Sequence, residues 1–279
     1  MKRPSPSVHA LLRKYGIRPR KRLGQHFLAA GPTIDKIVGA LQLVPGGVVV
    51  EIGSGLGVMT RRIAERAGRV IAVERDERMV DILRAELGDL KNLTLVHGDI
   101  LDAKLSELAA GGGRVKIAGN LPYNISTPIL FWILENRDRI SRAVIMVQRE
   151  VAERIAARPG GKEYGTLSVM TQAQTAVRKL FDVSAASFVP PPEVQSSVIE
   201  IDFPEKDAMS PEDVERLRAV VRAAFGKRRK TLRNALLGAA ELGVSPGGID
   251  AALSGAGIDP GLRPEALSVE EFIRLARFL

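Results

Sequence analysis

Val48-Val49-Val50-Glu51-Ile52-Gly53-Ser54-Gly55-Leu56-Gly57 decides the fold. The β-branched run Val48–Ile52 signals a short strand, the alternating glycines a tight turn, and the apolar spacing from Val58 to Arg66 a helix. The same alternation extends to either side. Upstream, Ile34, Ile37, Val38 and Leu41 share a helical face that stops before Pro45-Gly46-Gly47. Downstream, strand signals at Val70–Val73, Leu93–Val96, Val115–Ala118 and Ala143–Val147 alternate with helical patterns near Met79–Leu87, Pro128–Leu134 and Glu150–Ala157. Parallel strands need crossovers, so this pattern predicts an α/β, doubly wound, Rossmann-like sheet covered on both faces.

Beyond that domain, Gln195–Phe203 predicts one more strand, hairpin-like or antiparallel with Ala176–Phe181. After Pro204 the composition changes. Helices are expected from Pro211 through Ala224, over Lys230–Leu242 and over Val269–Phe278, with Gly and Pro punctuating the intervals. The expected division is a basic N-terminal arm over 1–22, partly helical or flexible, a larger domain over 23–203 and a small α-helical domain over 204–279.

Composition narrows the chemistry. The 279 residues contain no cysteine, which excludes disulfides, Cys-ligated zinc and thiol nucleophiles. His9, His26 and His97 are too few and too scattered to argue for a metal site. With no long apolar run and no apolar signal core, a soluble cytoplasmic protein without membrane contact is expected. The net charge of +9 is concentrated in two places. Eight basic residues precede residue 23 and six more, Arg222, Lys227, Arg228, Arg229, Lys230 and Arg233, occupy one stretch without an acid. Removing those 14 from the 41 basic residues leaves 27 against 32 acids, a net charge of −5. Positive charge confined in this way favours a polyanion, and nucleic acid above all.

The glycine turn lets a ligand approach the backbone closely, in front of the unpaired amides that open a helix. Val58 stands where a dinucleotide fingerprint needs its third glycine, and no Gly-Lys-Ser or Gly-Lys-Thr of a P-loop follows. Alone, such a turn is equally a structural connection. Two acids add to it. Glu74 ends the second strand, where a carboxylate accepts hydrogen bonds from both hydroxyls of a ribose, and Asp99 follows the third, suited to an adenine amine. Asn120-Leu121-Pro122-Tyr123 follows the next strand signal. It sets the Asn120 side-chain carbonyl and the Leu121 backbone carbonyl beside an aromatic ring, while Pro122 adds no competing backbone donor. Together they suit the edge and face of a nucleobase. Phe188, before three prolines, is available to cover the other face of the base or to anchor a loop.

Longer segments carry a resemblance: Leu23–Leu28, Glu51–Gly57, Glu74, Gly98-Asp99, Asn120–Ser126, Gln148–Ala152, Phe188–Val194 and Phe225–Asn234. In this order they closely resemble the S-adenosylmethionine-dependent ribosomal RNA adenine dimethyltransferases, specifically the bacterial small-subunit group called KsgA or RsmA. The resemblance covers nearly the whole chain. It implies a class I methyltransferase domain in which Gly53, Gly55 and Gly57 shape the methionine and ribose pocket beside Glu51, Glu74 binds the ribose and Asp99 the adenine amine. It further implies that Gln25, His26, Phe27 and Leu28 close over S-adenosylmethionine. Asn120, Leu121, Pro122 and Tyr123 would hold the target adenine and Phe188 would stack on it. His26 stands where many members carry Asn and is a tolerated departure. The implied substrate is 16S rRNA within the immature small ribosomal subunit, where two adjacent adenines of the 3′-terminal hairpin become N6,N6-dimethyladenine. The basic stretch would grip RNA phosphates, and the free protein is expected to be monomeric. A large-subunit rRNA adenine methyltransferase and an RNA-binding assembly factor with secondary catalysis stay open beside this reading.

Overall fold

β-Branched side chains lose rotamer freedom on a helix and pack well on a pleated surface, and the apolar runs accordingly pair as strands. The computed structural model describes residues 6–20, 23–111, 113–206, 209–227 and 229–279. Its strands are β1 (Phe27–Leu28), β2 (Val48–Ile52), β3 (Arg69–Glu74), β4 (Leu93–His97), β5 (Val115–Asn120), β6 (Ile140–Gln148), β7 (Ala176–Val183), β8 (Phe188–Val189) and β9 (Ser196–Asp202). The main sheet has the order β4-β3-β2-β5-β6-β9-β7. Strands β2 to β6 pair in parallel, and β9 runs antiparallel to β6. Val50, Ile71, Ile117 and Val144 are wholly buried, as strands covered on both faces require.

Strand order reverses at β2. The chain steps from β2 to β3 and β4 on one side, then returns to β5 and β6 on the other. Open α/β sheets bind ligands outside the carboxyl ends of strands at such a reversal. Ile52 is in register with Val73 on one side and Gly119 on the other. The next residues, Gly53, Glu74 and Asn120, therefore leave three adjacent strands at one level.

The compact units do not follow the expected boundaries. One extends to Ala152 and resumes over Arg178–Phe203; the other combines Glu153–Val177 with Pro204–Leu279. Residues 153–177, expected in the larger domain, carry helix Thr166–Gln172, whose Leu167, Val169 and Met170 are buried. Within the second unit Tyr164 sits edge-on to Phe225 at 6.2 Å, and Gly160 N donates to Glu265 O at 2.6 Å. These long-range contacts override sequence proximity. The unit's other helices are Pro211–Phe225, Leu232–Leu237, Pro246–Gly255 and Val269–Ala276. Ser210, Thr231, Ser245 and Ser268 cap them through side-chain oxygens.

The N-terminal segment is likewise no separate arm. Helix Val8–Lys14 buries Val8 and Leu11 in a cluster with Phe27, Leu56, Met79 and Ile82. Lys14 and Tyr15 both reach the Glu86 carboxylate, at 2.5 and 2.6 Å. Lys2, Arg3, Lys21 and Arg22 lie outside the described residues. No described helix is long and apolar enough to cross a membrane.

Candidate active site

The reversal point opens into a cleft of ≈ 1250 Å³, counting the part continuous with solvent, lined by stretches of 23–28, 51–56, 73–76, 98–100 and 120–125. Gln25, His26, Phe27, Leu28, Glu51, Gly53, Gly55, Glu74, Asp99, Asn120, Leu121, Pro122 and Tyr123 all lie on its wall. Gly57 does not. Its φ of 76° starts helix Val58–Ala64, and a Cβ there would stand 2.7 Å from both Leu83 and Leu87. Gly57 is thus required by packing against helix Glu77–Leu87. Gly55 faces the cleft, where a Cβ would meet the Phe27 ring at 3.2 Å.

Glu74 is buried and acceptor-only when ionised. Its Oε2 accepts from Gly55 N and its Oε1 from Asp76 N, both at 2.8 Å, which aims the carboxylate across the turn. Burial raises its pKa, opposed by these amides. Asp99 Oδ1 accepts from Leu101 N at 3.1 Å, and its Oδ2 pairs with Arg75 Nη1 at 3.0 Å. Asp76 was not singled out by the sequence, although an acid before an amphipathic helix is an N-cap signal. It accepts from Gln25 Nε2 at 2.8 Å, while Gln25 Oε1 accepts from Arg20 N at 2.9 Å. Gln25 is clamped at both ends. Burial raises the Asp76 carboxyl, but hydrogen bonds from Arg78 and Gln25 hold it below its ordinary value.

Asn120 ends β5 and its Nδ2 donates to His26 O at 2.9 Å. A backbone carbonyl only accepts, so the amide nitrogen must face His26 and Oδ1 is left as the acceptor. Leu121 anchors the turn behind it, with its side chain buried and its N–H on Met146 O at 3.0 Å. Tyr123 opens a short 3₁₀ turn, Tyr123–Ile125. Its hydroxyl bonds Ser196 Oγ at 2.5 Å, and burial raises its pKa. The His26 ring stacks on it, centroids 5.6 Å apart and planes inclined by 20°. His26 Nδ1 lies 2.9 Å from Pro190 O and therefore carries the hydrogen. His26 thus braces Asn120 through its backbone and Tyr123 through its ring, a double role absent from the sequence reading.

Phe188 departs from expectation. It is 2% exposed, opposite Leu28 in the β1–β8 pair, and its ring joins the core cluster with Leu28 and Val198 instead of the cleft wall. Antiparallel pairing fixes which face each side chain takes, and here it turns Phe188 inward.

In the helical unit the basic candidates divide. Arg222, Arg229 and Lys230 are exposed, and Lys227 Nζ donates to Gly238 O at 3.0 Å. Arg233 instead pairs with Asp250 through two hydrogen bonds, at 2.5 and 2.8 Å, so its planar fork is already engaged. Arg228 lies outside the described residues. No group of three or more His, Asp or Glu side chains among the described residues could hold a metal ion.

Two buried polar atoms of the cleft wall are left without partners. Beside the amide-bound Glu74, Glu51 Oε2 and Ser54 Oγ have no hydrogen-bond partner among the described residues. Buried polar atoms are normally satisfied, and a polar ligand end would satisfy these.

A family model described as "Ribosomal RNA adenine dimethylase" matches residues 16–279. The chain is 44% identical over 268 residues to "Ribosomal RNA small subunit methyltransferase A" of Geobacter metallireducens, covering 95% of this chain and 97% of that protein. It is also 44% identical to the protein of the same name from Moorella thermoacetica, covering 97% and 96%. Among solved structures, a dimethyladenosine transferase from Plasmodium falciparum aligns with a TM-score of 0.75 at 25% identity, covering 90% of this chain and 96% of that one. The 23S rRNA methyltransferase ErmE aligns with a TM-score of 0.69 at 27% identity, covering 91% and 99%.

Proposed function

The chain belongs to the ribosomal RNA adenine dimethylase family, in its KsgA/RsmA group, and on that premise we propose that its cleft holds S-adenosylmethionine beside an adenine turned out of 16S rRNA. It is an rRNA adenine methyltransferase. The proposed targets are two adjacent adenines of the 3′-terminal hairpin, each carried to N6,N6-dimethyladenine during small-subunit maturation. When bound, S-adenosylmethionine supplies an electrophilic sulfonium methyl. Glu74 would take its ribose hydroxyls, Asp99 its adenine amine, and Glu51 with Ser54 its charged end.

The chemistry left to the protein is that of a poor nucleophile. The lone pair of an exocyclic adenine amine is delocalised into the ring. Asn120 Oδ1 and the Leu121 carbonyl would accept the amine hydrogens, favouring the charge that grows on nitrogen as the bond to methyl forms. The face of Tyr123 would hold the base so that the amine meets the methyl in line. A hairpin loop makes this cheapest, because its bases leave their stack at low cost. Exposed Arg222, Arg229 and Lys230 would contact phosphates without reading sequence.

The observation that carries this reading is the Asn120 Nδ2 to His26 O hydrogen bond, which leaves the side-chain oxygen as acceptor at the end of β5. The test incubates the protein with methyl-labelled S-adenosylmethionine and undermethylated small subunits and maps the label by mass spectrometry. Two dimethylated adenines in the terminal hairpin are expected. Label confined to large-subunit RNA would reject the substrate.

A further inference from the structure

Glu51 and Glu74 belong to neighbouring parallel strands and line the same cleft, both almost fully buried. Their surroundings differ. Glu74 receives backbone amides from Gly55 and Asp76, whereas Glu51 Oε2 has no donor among the described residues. Ionising a buried carboxyl that has one oxygen without a donor and no cation beside it is strongly disfavoured, so such a group keeps its proton. Burial pushes the Glu51 carboxyl up to about 8, with the nearby Thr60 hydroxyl opposing and the Glu74 charge adding. Among the described residues the cleft wall offers it no spare cation. Arg75 is engaged by Asp99 and Arg78 by Asp76, and the remaining titratable groups on the wall are His26 and Tyr123.

We propose that Glu51 waits as the neutral acid and gives up its proton to solvent when the cationic end of the cofactor arrives, making cofactor capture and proton release one event. This rests on the S-adenosylmethionine reading of the cleft. Charge balances: one positive charge enters the buried site and one proton leaves it, the carboxylate remaining as counter-ion to the bound cation. Glu74, already held by two amides, keeps its role as acceptor for neutral hydroxyls.

The test is calorimetric titration of the purified protein with S-adenosylmethionine near pH 6.5, where the cofactor's own α-amino group, with an ordinary pKa of roughly 8, is already charged. Measuring in two buffers of different protonation enthalpy counts the protons released. Release approaching one per bound cofactor is expected, with affinity rising about tenfold per pH unit between roughly pH 5.5 and 6.5. Glu51→Gln, an isosteric copy of the neutral acid, should still bind but release no proton and lose that slope. Binding without proton release in the unaltered protein would overturn the inference while leaving the cofactor reading intact. So would release that persists in Glu51→Gln, which would assign the proton to another group such as Glu74, whose pKa burial also raises. Absence of binding would overturn the cofactor reading itself, and the inference with it.

Discussion

The carboxamide nitrogen of Asn120 donates to the backbone carbonyl of His26 at 2.9 Å, joining the end of β5 to the segment that lies 94 residues earlier in the chain. Rotating the amide by half a turn would set two oxygens face to face. The contact therefore decides which end of Asn120 can meet a substrate.

Asn120→Asp tests that polarity. The substitution keeps the acceptor oxygen but replaces the donating amide nitrogen by a second oxygen, which turns a carboxylate toward the His26 carbonyl. Methyl transfer is expected to fall by about 10- to 100-fold near neutral pH, the scale of a lost transition-state hydrogen bond. Partial recovery should appear at lower pH, where the protonated carboxyl regains a donor. Single-turnover rates across pH check this, and a rate equal to that of the unaltered protein would contradict it.

Gln25 bridges Arg20 N and the Asp76 carboxylate across the cleft wall. Gln25→Ala removes both bonds and should weaken cofactor binding by about 5- to 30-fold, equivalent to roughly 1 to 2 kcal/mol. The unfolding midpoint should move little. A large loss of stability with unchanged affinity would instead make the clamp purely structural.

Gly57→Ala places a Cβ 2.7 Å from Leu83 and Leu87 at a φ of 76°. Overpacking and left-handed strain together should cost about 2–4 kcal/mol. Denaturant unfolding reads this directly. Cofactor affinity of the folded fraction should be nearly unchanged, because Gly57 is not on the cleft wall.

Stability should depend on pH through Glu51. Its carboxyl stays protonated in the folded protein up to about 8, whereas the unfolded chain releases that proton near 4.5. Between those values the folded state binds more protons, so stability falls as pH rises through the window and levels off above it. Glu51→Gln should flatten this part of the profile and gain on the order of a few kcal/mol at pH 8. Thermal melts of both proteins without cofactor test it, and parallel profiles would contradict it.

RNA binding should separate the basic residues. Removing the exposed charge of Arg222 or Lys230 should weaken binding and reduce the dependence of log affinity on log salt by about 0.7 to 0.9 for each phosphate no longer neutralised. Arg233→Ala should change that slope less, since its guanidinium is held by Asp250. Equal slope changes at all three positions would argue against the division.

What the sequence made legible is what neighbouring residues determine. The β-branched run Val48–Ile52, the glycine turn and the Asn-Leu-Pro-Tyr turn are local signals, and the strands lie where they point. Helix Pro246–Gly255 is masked in the sequence because Gly247 and Gly248 look like punctuation, although Ser245-Pro246 is a cap and first-turn signal. Distant pairings were not legible. His26 meets Pro190 from 164 residues away, and the same β1–β8 pairing turns Phe188 into the core. Arg233 and Asp250 carry the charges of any solvated pair until two separate helices bring them together. Residues 153–177 read as part of the larger domain by proximity alone, whereas their buried side chains belong to the helical unit.

Asn120 is proposed to grip the adenine amine during transfer. The most direct measurement of that grip is the single-turnover methylation rate of Asn120→Ala on undermethylated small subunits, taken with its affinities for RNA and for S-adenosylmethionine. A fall of about 100-fold or more in the rate, with both affinities within a few-fold of the unaltered protein, is the predicted result. Retention of the rate, or a loss wholly explained by weaker binding, would contradict it.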